Sequence, residues 1–140
     1  MEKAMIEAVK LSFGRALGDR ELLDKFYKAL VCSNPEVGRA FINADMEKQK
    51  EVLQMSLSMA ILFPQDNVVA KHAMDKVRHS HSQSNLNIKP ELYQYWLDAL
   101  LSVVAEADHE FSPVLEQHWR LVMGQAISHI QGGYLEDTKH

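Results

Sequence analysis

No stretch of this sequence alternates apolar and polar residues for long enough to build a sheet, whereas apolar residues recur every three or four positions almost throughout. That pattern restricts the chain to an all-α fold in which each helix buries one face. A first helix is expected over about residues 3–17, with Ile6, Val9, Phe13 and Leu17 inward and Gly18 at its end. Asp19 can cap the next, whose stripe is Leu22, Leu23, Phe26, Tyr27, Leu30 and Val31, and Asn34-Pro35 stops it. A short helical turn leads to Phe41. Asp45 can cap a helix carrying Gln49, Leu53, Ser56, Leu57, Ala60 and Ile61 on one face, closed by Pro64. Asn67 can begin another, with Met74, Val77 and His81 in phase. The polar run from Ser82 breaks the pattern, and Pro90 suits the first turn of a helix bearing Leu92, Tyr93, Trp96, Leu97, Leu100 and Val104. Ser112 and Pro113 open the last helix, with Leu115, Trp119, Val122, Met123, Ala126, Ile127 and Ile130 as its stripe before Gly132-Gly133.

With 140 residues, no internal repeat and no low-complexity linker, these helices are expected to close around one core as a single domain over 1–140. A net charge of −4 gives no electrostatic reason for nucleic acid to bind. No apolar run approaches the ~20 residues that cross a bilayer, so no membrane partner is expected. The start, MEKAMIEAVK, lacks the apolar core of a secretory signal, and a cytoplasmic location is the expectation. Cys32 is the sole cysteine. It can form no internal disulfide, and its neighbours Leu30 and Val31 predict a buried structural thiol.

Seven histidines invite a metal hypothesis that spacing mostly removes. The close pair His79-x-His81 is separated by ~200° of helical rotation, so both cannot face one site. The run Glu106, Asp108, His109, Glu110 reads as a solvated interhelical loop rather than a zinc site. No glycine-rich phosphate loop or nucleophile elbow occurs, and Gly132-Gly133 reads as a helix stop. His81 differs from the other histidines because it shares a face with Met74 and Val77 and so points inward, where a neutral imidazole is a good iron ligand. The same placement also suits a hydrogen-bonded core histidine. Tyr27 and Gln49 are likewise polar groups on stripes that should be buried, each able to satisfy a neighbouring backbone group. One explanation covers all three: a shared ligand in an apolar pocket walled by Phe26, Phe41, Leu53, Leu57, Val77, Trp96 and Leu100, wide enough for a large flat cofactor.

Together these residues resemble the bacterial globins, particularly the globin domains of flavohaemoglobins and related single-domain proteins. Phe26-Tyr27, Asn34-Pro35-Glu36 and Phe41 resemble the second helix and the corner after it; Lys48-Gln49-Lys50 and Leu53 resemble the start of the distal helix. His81-Ser82, followed by Leu86, Ile88, Pro90, Glu91, Tyr93, Trp96 and Leu100-Leu101, resembles the proximal histidine and the helix after it. The resemblance covers nearly the whole chain and implies a globin fold of six to eight helices around haem b (iron protoporphyrin IX). It implies His81 as the metal ligand, with Phe41, Leu53, Val77, Ile88, Tyr93, Trp96 and Leu100 against the cofactor. Tyr27, Gln49, Leu53 and Trp96 would face the bound ligand, although Trp96 equally suits a core aromatic at the haem edge. Lys50 and Arg78 are candidate partners for the propionates.

The implied function is reversible binding of oxygen, or of carbon monoxide or nitric oxide. The alternatives are a nitric oxide dioxygenase fed by an external reductase, and a haem-based gas-sensing module. Two departures from flavohaemoglobins bear on this choice. The segment from His81 to Pro90 is slightly longer, and helical phase selects His81 over His79. The glutamate of their last helix falls near Tyr134 here, beyond two glycines, which weakens the enzyme reading.

Overall fold

A computed structural model describes residues 2–135. Among them lie seven α-helices and no strand: α1 (Lys3–Ala16), α2 (Leu22–Ser33), α3 (Pro35–Ala40), α4 (Met46–Leu62), α5 (Val68–Ser80), α6 (Tyr93–Ala107) and α7 (Pro113–Gln131). Single 3₁₀ turns at Phe63–Gln65 and Pro90–Leu92 follow α4 and precede α6. Three expected caps form, since the side chains of Asp45, Asn67 and Ser112 accept from the backbone N–H of Lys48, Ala70 and Leu115. Asn34 ends α2 and caps α3, accepting from the Glu36 N–H at 2.8 Å.

Packing follows the stripes. Helix α2 lies along α6, α1 along α7, and α5 against both α4 and α7. Trp119 and Phe26 are fully buried, with Ile6, Val9, Leu100, Val104 and Val122 around them, each such aliphatic or aromatic side chain stabilising the fold by about 1.5–3 kcal/mol. Anchoring is uneven: α7 buries Leu115, Trp119, Val122, Met123, Ala126 and Ile130, whereas α5 buries only Ala70 and Met74.

The structure departs from the sequence reading in four places. Helix α2 begins at Leu22, because Asp19 instead accepts from the Glu21 N–H at 2.9 Å and pairs with Lys25 at 2.8 Å. Val31 and Cys32 are exposed, so the thiol is not a buried one. Leu30 occupies the inward face, and a residue two positions on is turned ~200° away from it. Asp108, read as part of a solvated loop, is buried at 1% exposure. It accepts from Ser12 Oγ at 2.6 Å and from Arg15 Nε at 2.6 Å, while the Trp119 indole N–H donates to the same serine at 2.9 Å. Burial alone would raise this carboxyl's pKa, but the Arg15 and Ser12 hydrogen bonds hold it down to about 2.

Candidate functional site

His81 stands just past the last turn of α5 as its C-cap, its backbone N–H donating to Val77 O at 2.9 Å. The chain then folds back on itself: Leu86 N–H donates to Ser80 O at 3.0 Å and Ile88 N–H to His81 O at 3.2 Å. Asn87 supplies the left-handed residue this return requires, at φ 55°, a conformation that asparagine tolerates better than most side chains. The turn at Pro90–Leu92 then delivers Tyr93 as the first residue of α6. As a result Tyr93 Oη lies 2.7 Å from His81 Nδ1.

Burial pushes the His81 imidazole down to about 4 and the Tyr93 phenol upward, so both groups are neutral near pH 7. If Nδ1–H donates to the phenol oxygen, Nε2 keeps the lone pair that a metal requires; donation in the other direction would leave Nε2 protonated. His79, two residues earlier, is exposed. The two histidines therefore separate as helical rotation predicts.

On α2, Tyr27 is buried with its ring edge-on to Phe26 at 5.1 Å and to Phe41 at 5.6 Å, and Phe26 contacts Trp96 at 5.7 Å. Its hydroxyl donates to the backbone carbonyl of Gln49, in the first turn of α4, at 3.1 Å. Burial pushes this phenol up to about 12. Lys50 joins the same two helices, pairing with Asp24 and Glu47 at 2.8 Å each. Tyr27 and Gln49 are thus brought together, through a main-chain atom rather than through the Gln49 amide.

Leu53, Tyr93 and Leu100 are buried, while Phe41, Val77, Ile88 and Trp96 remain half-buried against the core. Arg78 is committed to α7, its Nη1 donating to His129 O at 2.6 Å. The sequence reading missed how the end of α7 meets the loop between α5 and α6. Gln131 Nε2 donates to Pro90 O at 2.9 Å, Gln83 N–H donates to Tyr134 O at 2.7 Å, and the Tyr134 hydroxyl donates to Asn87 Oδ1. His129 also pairs with Asp75 of α5 at 2.6 Å. The paired glycines were the available signal, although they read as a stop and not as a contact.

This arrangement can be set beside known proteins. The globin family model matches residues 24–130. A crystal structure of a Pseudomonas aeruginosa protein described as structurally highly homologous to a human hemoglobin superposes with a TM-score of 0.88. The two are 33% identical, over 93% of this chain and 98% of that one. The chain belongs to the globin family. No curated protein matches it significantly. Its helices form the globin fold, and membership implies a haem. The residues of this globin fit such a group: they include a neutral imidazole held at one ring nitrogen, and apolar side chains left half-covered at Phe41, Val77, Ile88 and Trp96. Among the described residues no group of three or more His, Cys, Asp or Glu could hold a bare metal ion, and no helix is long and apolar enough to cross a membrane.

Proposed function

We propose that this chain is a single-domain, cytoplasmic globin over residues 1–140 that holds haem b through His81 and reversibly binds oxygen or another diatomic gas. The observation that carries the reading is the His81–Tyr93 pair, in which the 2.7 Å contact at Nδ1 and the low imidazole pKa together favour a neutral ring with Nε2 available. The haem would supply the iron that binds the gas. The chain's own part is to fix the imidazole, exclude water with Leu53, Leu57 and Leu100, and offer a polar donor from the opposite helix pair. Tyr27 is the donor best placed for this role, and the Gln49 amide can assist it. A phenol donates more strongly to oxygen, which takes on partial negative charge in such pockets, than to neutral carbon monoxide.

Nitric oxide dioxygenation with an external reductase is the second reading, and it rests on the flavohaemoglobin resemblance. Against it stands the proximal side: His81 Nδ1 meets a neutral phenol, and among the described residues no carboxylate is hydrogen-bonded to His81 or Tyr93. A phenol pushes less electron density onto a ligating imidazole than a carboxylate does. The deciding experiment is the absorption spectrum of the purified protein. A Soret band that shifts with carbon monoxide, and that is lost in His81→Ala but kept in His79→Ala, is the expected result. Purified protein with no haem and no capacity to take it up would overturn the reading, and turnover of nitric oxide with added reductase would favour the second one.

A further inference from the structure

We propose that the end of α7 and the turn after it position His81, with Gln131, Gly133 and Tyr134 acting as a clamp on the segment that carries the histidine and its tyrosine partner. The inference rests on the proposed role of His81 as the iron ligand. Residues 82–92 connect His81 to Tyr93, and the end of α7 with the turn after it touches this connection at its start, middle and end. Tyr134 O receives the Gln83 N–H at 2.7 Å, the Tyr134 hydroxyl bonds the left-handed Asn87, and Gln131 Nε2 holds Pro90 O at 2.9 Å. The segment also folds back on the end of α5 through Leu86 N–H to Ser80 O and Ile88 N–H to His81 O, and Lys89 pairs with Glu36 at 2.7 Å, so the contacts of Gln131 and Tyr134 brace its remaining side.

The same stretch, from His129 to Gly133, grips α5 just before His81. Arg78 Nη1 donates to His129 O at 2.6 Å, and its side chain runs across the backbone of Gly133. A Cβ at Gly133 would collide with Arg78 Cγ, Cδ and Nε. Because Cγ lies near the root of the side chain, relief requires Arg78 as a whole to move. Gly133 has no positive φ, so the glycine is required for close approach and not for backbone conformation. His81 and Tyr93 are therefore each held within a few residues by one helix terminus, which fixes the direction of the imidazole relative to any group bound at Nε2.

The test uses haem-loaded protein carrying Tyr134→Phe, Gln131→Leu or Gly133→Ala, with Tyr95→Phe as an exposed control. The readout is the iron–histidine stretching band of the ferrous form by resonance Raman, together with the rate of haem transfer to an acceptor globin. The expected result is a band shifted or broadened beyond its wild-type width in Gly133→Ala and Tyr134→Phe, and haem loss about 2- to 10-fold faster in each clamp variant. The control should match wild type in both measurements. A merely structural role would lower the melting temperature and leave the band in place, and that outcome overturns the clamp. His81→Ala separates the two levels of the argument. If its band persists, the ligand assignment itself fails; if its band is lost while all clamp variants keep the wild-type band, only the clamp fails. Should Gly133→Ala not fold, the milder Tyr134→Phe and Gln131→Leu changes still decide the matter.

Discussion

Because burial pushes the His81 imidazole down to about 4 while an unfolded chain protonates it near 6.5, the haem-free protein must be acid-sensitive through this one ring. Between those values the unfolded state binds more protons, so the stability is complete above about pH 6.5 and is lost as pH falls toward 4. The loss attributable to His81 is at most on the order of 3 kcal/mol, less what the ring's partial exposure screens. Urea midpoints of the apoprotein at pH 7.5 and pH 5 should therefore converge in His81→Gln relative to wild type. An equally steep acid loss in the variant would show that other groups carry it. Tyr27 poses a different accounting problem, because a phenol has a single proton to donate and spends it on the Gln49 carbonyl at 3.1 Å. Donating to oxygen means exchanging a neutral hydrogen bond for a partly charge-assisted one, a net gain of about 0.5–2 kcal/mol. Tyr27→Phe should then speed oxygen release roughly 2- to 30-fold and carbon monoxide release much less, by stopped flow. Equal effects on the two gases would mean that the tyrosine acts only through packing. Gln49→Leu keeps the carbonyl and so reports the amide alone. The inward placement of His81 was legible because Met74 and Val77 fix its phase. The resting partner of Tyr27 was not, since a main-chain carbonyl leaves no mark in the sequence.

At the scale of elements, the caps at Asp45, Asn67 and Ser112 could be read directly because a cap needs only local residues. The joint between α1 and the α6–α7 corner could not, because Asp108 finds Arg15 and Ser12 across more than ninety residues of sequence, at separations of 93 and 96. A charged residue in a polar run reads as solvated until a distant cation and hydroxyl compensate its burial. The consequence is a strong dependence on both partners. Asp108→Asn leaves Arg15 only the exposed Glu110 carboxylate at 3.5 Å, and Ser12→Ala leaves the fully buried Trp119 indole N–H without an acceptor. Expected losses are about 1–3 kcal/mol for each, measured by urea denaturation at pH 7. The two should be non-additive, since Ser12 also donates to Asp108. A cost below about 0.5 kcal/mol for Asp108→Asn would mean that water replaces the carboxylate's contacts freely and that the joint holds nothing.

Across the whole molecule, stability is distributed unevenly in a way that follows from which faces meet protein and which would meet the cofactor. Helices α1, α6 and α7 close on one another around Trp119, Val9 and Val104, all fully buried. Helix α5 contributes only Ala70 and Met74 to that core, and its other inward residues, Val77 and His81, are half-covered. The sequence showed the stripe of α5 but could not show how few of its members the protein itself buries, because periodicity is the same whether a face meets side chains or a ligand. It follows that haem-free protein should open from α5 and the loop after it, leaving the α1–α6–α7 core intact. Hydrogen exchange of the apoprotein should find amides of residues 70–81 exchanging far faster than those of residues 115–130. Haem addition should raise the protection of residues 70–81, by an amount that grows with the affinity of the site. The α7 amides, which report global unfolding, should gain protection as well, because haem that binds only the folded protein raises that cost too. If α5 is as protected as α7 before haem is added, the protein core alone must hold it, and the half-covered face at Val77 and His81 would have no need of a cofactor to complete it.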